Sequence, residues 1–222
     1  MKDQNKRILN IDEFRKIFLK YTRKAFQLLP KLDKPQILDV GCGTGVPTIE
    51  LAKLTNGFIT AMDINSKDLR KLENKIKAYG FENRIKIIHG SLLKYEFEPL
   101  NFDIIWAEGV IHIIGFKKGF KACHKILKKG GLLVLNEVIK GIKDYINQLS
   151  SFGFTLYDWF KLPDNAWWTE FYNPLELRIK KLSEMNLNKN LRKQISRYKR
   201  EINMVKSNPK YFNSAFYILQ KS

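Results

Sequence analysis

The chain alternates short apolar runs with longer stretches in which apolar residues recur every third or fourth position. The runs read as strands: 36–40 (QILDV), 58–64 (FITAMDI), 84–91 (RIKIIHGS), 102–110 (FDIIWAEGV) and 131–138 (GLLVLNEV). Between them lie helical patterns. One covers 46–56 with Pro47 in its first turn, and another starts after Ser66, a candidate N-cap. A third covers 117–131 and is closed by a glycine pair. A helix over 11–29 precedes the first strand and stops before Pro30. Strands alternating with helices of this length predict a parallel sheet covered on both faces.

Beyond residue 138 the rhythm loosens. A helix is predicted over 142–154, a sixth strand over 154–163, a long basic helical insert over about 172–206, and a seventh strand at the end. A last strand returning after such an insert is expected to run antiparallel at or near one edge. The predicted fold is therefore α/β: a Rossmann-like, seven-stranded, mostly parallel sheet with its last strand antiparallel and a helical insert before it. With 222 residues the chain fits one domain. Its expected parts are an N-terminal helical cap (1–35), a core (36–138) and a C-terminal half (139–222).

Composition narrows the classes. At 44% hydrophobic and 28% charged, the chain is globular, and no apolar run approaches the roughly 20 residues that span a bilayer. The first thirty residues fit an amphipathic helix rather than a signal peptide. Two cysteines make no disulfide framework or Cys-based zinc site, and three scattered histidines have no metal spacing. A cytoplasmic location and no metal are expected. The net charge of +18 sits at the ends: ten Lys/Arg against four acids over 1–35, and twelve against two over 178–222. Such ends could meet RNA, or could simply be solvated helix faces.

The chemistry starts at QILDVGCGTG. A strand ending at Val40 and a helix starting near Val46 leave a tight turn containing Gly41, Gly43 and Gly45. Glycine permits the backbone angles of such a turn and the close approach of a ligand. Asp63 ends the next strand, twenty-two residues after Gly41, where a carboxylate can accept hydrogen bonds from both ribose hydroxyls. Together they point to a nucleoside-containing cofactor. A dehydrogenase would use a similar turn, but its Tyr-x-x-x-Lys pair needs a helix, and Tyr157 and Lys161 lie in a strand-like run.

The nine residues ILDVGCGTG, with Asp63, IHGSLL (88–93), FDIIWAEGVIH (102–112) and LKKGGLLVLNE (127–137), resemble the class I S-adenosylmethionine (SAM)-dependent methyltransferase family. Within it the chain resembles the small-molecule, methyltransferase type 11/25-like branch. The resemblance implies SAM as cofactor, with S-adenosylhomocysteine as its product. It sets Asp39 and Gly41 against the methionine part, Cys42, Gly43 and Gly45 in the turn, Asp63 on the ribose, Ile64 on the adenine, and Gly90, Ser91 and Leu92 around the adenine. Ser91 stands where the family often has Asp. It implies transfer to a small-molecule acceptor by a chain that is a monomer or homodimer. The alternatives are an RNA methyltransferase using the basic ends, or a catalytically silent SAM-binding subunit.

Methyl transfer needs alignment and exclusion of water, and a base only where the acceptor loses a proton. Glu108, at the carboxyl end of the fourth strand, and His112, four residues on, are the catalytic candidates; Glu108 also lies where the cofactor is expected. The cluster NAWWTEFYNP, with Trp167, Trp168 and Tyr172, and Tyr21 on the N-terminal helix are candidates for a substrate pocket. The same aromatic rings would equally anchor the helix that follows.

Overall fold

The computed structural model describes residues 9–183 and 187–222. In chain order the elements are α1 (Ile11–Arg15), α2 (Leu19–Gln27), β1 (Gln36–Val40), α3 (Val46–Leu54), β2 (Phe58–Asp63), α4 (Ser66–Tyr79), β3 (Ile85–His89) and β4 (Phe102–Glu108). Then follow α5 (Ile111–Ile114), α6 (Phe116–Ile126), β5 (Leu127–Val138), α7 (Ile139–Ile146), β6 (Phe154–Lys161), α8 (Asn173–Ser183), α9 (Lys189–Ser207) and β7 (Ser214–Lys221). They fall into two compact units. One takes Leu19–Lys161 and Ser214–Ser222; the other takes the chain up to Phe18 and Leu162–Asn213.

The first unit is the sheet. Its strands lie in the order β3-β2-β1-β4-β5-β7-β6, and β7 is antiparallel to both neighbours while every other pairing is parallel. The expected seven-stranded sheet with one reversed strand is what forms. β7 fits between β5 and β6 because six of its first seven residues can be buried on either face, leaving the amphipathic β6 with exposed Leu156, Tyr157 and Trp159 at the edge. Central β4 is buried on both faces for the same reason. On one side Ile105, Ala107, Leu133 and Leu219 share a core with Phe116, Phe120, Cys123 and Ile126 of α6. On the other, Trp106 packs against Phe216 of β7 and Phe26 of α2.

Several local expectations are corrected. The 11–29 helix is two pieces, α1 and α2, joined by a 3-10 turn at Lys16–Phe18. Asn65, not Ser66, caps α4: its side chain accepts from the Lys67 amide at 3.0 Å, and Ser66 is already helical. The helix predicted to run to a glycine pair stops at Ile126, because Leu127 enters the sheet opposite Phe102 and is fully buried there. The predicted 142–154 helix ends at Ile146, and a 3-10 turn at Leu149–Phe152 leads into β6. Tyr157 and Lys161 do lie on a strand, too far apart to act as a helical pair.

The second unit is helical. α8 and α9 make up the basic insert, of which residues 184–186 lie outside the described set, as does the start of the expected 1–35 cap, residues 1–8. A π-helical turn, Trp167–Tyr172, leads directly into α8. Leu191, Ile195, Tyr198, Ile202 and Val205 form the buried stripe of α9, so its lysines and arginines occupy the outer face. Among the described residues no helix is long and apolar enough to cross a membrane.

Candidate functional site

β1, β2, β4 and β5 all end at one edge of the sheet, and the polar groups collect there. In an open α/β sheet this carboxyl edge is where ligands bind. β1 runs into a turn in which Gly41, Gly43 and Gly45 all have left-handed φ angles of 69°, 54° and 79°. At two of these glycines a side chain would also crowd a neighbour. A Cβ on Gly41 would meet Val110 Cγ2 at 2.6 Å, and one on Gly45 would run into Leu72 of α4. The amides of Gly41 and Cys42 both donate to the Met62 carbonyl, at 2.8 and 3.0 Å, fastening the turn to β2.

Asp63 holds the turn from the other side. Its Oδ2 accepts the Gly43 amide at 2.8 Å and its Oδ1 accepts the Asn65 amide at 2.8 Å. A carboxylate has about four acceptor sites, so both oxygens keep capacity for ligand hydroxyls. Next to it Ile64 is 72% exposed, an apolar side chain held in solvent at the lip of the site. The Ile64 carbonyl is bonded to His89 Nε2 at 3.0 Å, and the Gly90 amide donates to the Asp63 carbonyl at 3.0 Å. Ser91 accepts the Lys94 and Tyr95 amides on its carbonyl, and Leu92 is buried beneath it. His89 thus braces the loop that presents Ile64.

Asp39 is buried and accepts the Thr48 hydroxyl at 2.6 Å. Burial pushes its carboxyl up to about 7; the Thr48 bond opposes this, while the Glu108 and Asp63 charges add to it. Asp63 and Glu108 thus both lie close enough for their charges to act on Asp39. Burial, reinforced by Asp39 and Asp63, also raises the Cys42 thiol far above its usual range, so Cys42 is no nucleophile. Among the described residues no three His, Cys, Asp or Glu side chains group to hold a metal ion.

Glu108 ends β4, and its Oε1 accepts both Trp106 Nε1 at 2.8 Å and the Thr22 hydroxyl at 2.9 Å. Thr22 lies on α2 next to Tyr21, and both are buried. His112 sits on α5 with its ring half exposed, and its Nδ1 is 2.7 Å from Oε2 of Glu137. That bond raises the His112 pKa, against the opposing effect of burial. Glu137, Thr22 and Thr48 were missed from sequence. Glu137 was detectable: an acid inside the apolar run LLVLNEV must find partners when buried. The two threonines carried no signal.

Of the aromatic candidates, Tyr21 belongs to the sheet unit and Trp167, Trp168 and Tyr172 belong to the helical unit. Trp167 stacks on Phe18 with ring centroids 4.4 Å apart, and Phe171 meets Phe14, Phe18 and Tyr172 edge-on. Burial, then Glu201, pushes Tyr172 up to about 12. Lys206 Nζ lies 5.4 Å from the Trp168 ring centre. These rings tie the π-helical turn to the N-terminal segment and α9.

A sheet of this order with a glycine turn after its first strand is the Rossmann-like architecture expected from the sequence. Residues 37–131, a little under half of the chain, match a family described as a methyltransferase domain. It is 28% identical over 103 residues to a sterol 24-C-methyltransferase of Candida albicans, a match covering 46% of this chain and 27% of that protein. The chain thus aligns with only about a quarter of that relative's length. Among solved structures, the cyclase SpnF superposes with a TM-score of 0.76 at 15% identity, covering 91% of this chain and 80% of that one. A SAM-dependent methyltransferase from Geobacter sulfurreducens, in complex with S-adenosylhomocysteine, gives 0.72 at 16% identity and covers 94% and 91%.

Proposed function

We propose that the chain binds SAM at the β1 turn and transfers its methyl group to a small-molecule acceptor by in-line displacement. The observation that carries this reading is the carboxylate trio around the glycine turn. Asp63 keeps acceptor capacity for ribose hydroxyls, Ile64 offers an apolar face for a base, and buried Asp39 with Glu108 supplies negative potential for the cationic methionine end. Gly41, Cys42, Gly43, Gly45, Gly90, Ser91 and Leu92 complete the cradle.

When bound, the cofactor supplies an electrophilic methyl on a sulfonium. The chain's part is to orient the acceptor and, where needed, to take its proton. Glu108 is fixed by Trp106 and Thr22 at the strand end and can accept a hydrogen bond from an amine or hydroxyl. His112, with Nδ1 engaged by Glu137, offers Nε2 as the proton acceptor. Tyr21, Trp167, Trp168 and Tyr172 remain the proposed acceptor-binding residues. Residues 1–222 are proposed to work as one methyltransferase domain, as a monomer or homodimer. The proposed location is cytoplasmic, in keeping with two unpaired buried thiols.

The fractionation of transferred label tests this. Purified protein is supplied with methyl-labelled SAM and a cell extract, and label is then separated among small molecules, RNA, protein and lipid. Label in the small-molecule fraction is the expected result. Label in RNA would replace the acceptor class and make the basic outer face of α9 its binding surface. No transfer to any fraction despite bound SAM would favour a silent SAM-binding subunit.

A further inference from the structure

Glu137, the partner of His112 Nδ1, is a buried carboxylate of the sheet unit. It is 2% exposed and sits at the end of β5, in the middle of the sheet. Three donors converge on it. Its Oε1 accepts the Ile111 amide at 2.8 Å and the His112 amide at 3.3 Å, and its Oε2 faces His112 Nδ1 at 2.7 Å. We propose that Glu137 is the positioning residue of the reaction: it fixes His112 in the tautomer that carries hydrogen on Nδ1, leaving the Nε2 lone pair free to take the acceptor's proton.

The argument is one of hydrogen-bond capacity. An ionised carboxylate only accepts, so the neutral imidazole must donate from Nδ1 and keep its lone pair on Nε2. The two amide bonds, from Ile111 and from His112 itself, lock the carboxylate to the backbone that carries the ring, so ring and support stay together. The ring itself is half exposed, so its other nitrogen is reachable by a small molecule. In the transfer, the acceptor's lone pair forms the new bond to the methyl carbon and the pair of the broken carbon–sulfur bond stays on sulfur. The acceptor's proton passes to His112 Nε2, giving an imidazolium that Glu137 stabilises.

This rests on the reading of His112 as the base, and Glu137→Gln separates the two. A glutamine can keep its carbonyl on the two amides, but then its NH2 faces Nδ1 and forces hydrogen onto Nε2. The expected results are a switch of the His112 tautomer in nitrogen-15 NMR and an unchanged melting temperature and SAM affinity. The rate of label transfer from SAM to a small-molecule extract should fall at least about 100-fold. The tautomer measurement needs no acceptor. An unchanged tautomer, or a rate within a few-fold of the parent, overturns the role of Glu137. His112→Ala serves as the control. If its transfer rate equals the parent's, the base reading falls and Glu137 with it; if it is slow while Glu137→Gln is fast, Glu137 alone fails.

Discussion

The carboxyl edge of the sheet holds two neighbouring constellations built in different ways. At β1 and β2 most of the bonds are made by backbone amides: Gly43 and Asn65 to Asp63 and Gly41 to Met62, with Thr48 on Asp39 the exception. At β4 and β5 side chain meets side chain: Trp106 and Thr22 both bond Glu108, and Glu137 bonds the His112 ring. Thr22 lies 86 residues from Glu108, and His112 lies 25 from Glu137. The first constellation is backbone geometry, which glycine spacing encodes directly. The second is side-chain chemistry assembled by strand order, and no local spacing announces it. A binding turn can therefore be shared across a whole fold class, while the residues facing the acceptor remain particular to the chain.

That contrast breaks most sharply at His112. His112→Ala is expected to lower the initial rate of label transfer by about 100-fold or more while leaving SAM affinity intact. Calorimetry beside the transfer assay would show it, and an equal loss of SAM binding would erase the distinction between the two constellations. Asp39 offers the next largest effect, of opposite sign on stability and binding. Its folded value of about 7 lies above the ordinary 3.8, so the native state holds that proton more tightly than the unfolded chain. The stability this group contributes is complete below about 4, declines as pH rises towards 7, and is flat above. Asp39→Asn should remove the decline and stabilise the ligand-free protein at pH 8 by a few kcal/mol at most, while weakening SAM binding. Denaturant melts at pH 5 and pH 8 would reveal it.

Gly45→Ala comes below that, at roughly 2 kcal/mol of destabilisation, since it combines a left-handed backbone with contact on Leu72. Thermal melting measures it, and a neutral result would mean that the turn tolerates rearrangement. Thr22→Val is the mildest. Removing one hydroxyl from Glu108, which keeps its Trp106 partner, should cost about 1 kcal/mol and leave SAM affinity unchanged.

Legibility followed the same division. The strands could be read because each is a buried run bounded by polar turns, and the reversed β7 because a chain returning after a long insert has few places to go. The order of β7 inside β6 could not be read, since it depends on β7 being apolar on both faces while β6 is not. Asn65 and Ser66 are adjacent capping types, and only the bond to the Lys67 amide decides between them. The break between α1 and α2 leaves no glycine or proline mark in Lys16–Phe18. The glycine turn and Asp63 lay in plain view. Glu137 was visible as a charge in an apolar strand, but its partner became apparent only when β5 and α5 were seen together.

The most direct measurement is a calorimetric titration of SAM into the parent protein and Asp63→Ala. One molecule bound per chain by the parent, with affinity falling by about 100-fold or more in the variant as two carboxylate hydrogen bonds are lost, is the predicted result. No binding by the parent, or equal affinity in the variant, would contradict the placement of the cofactor at the β1 turn.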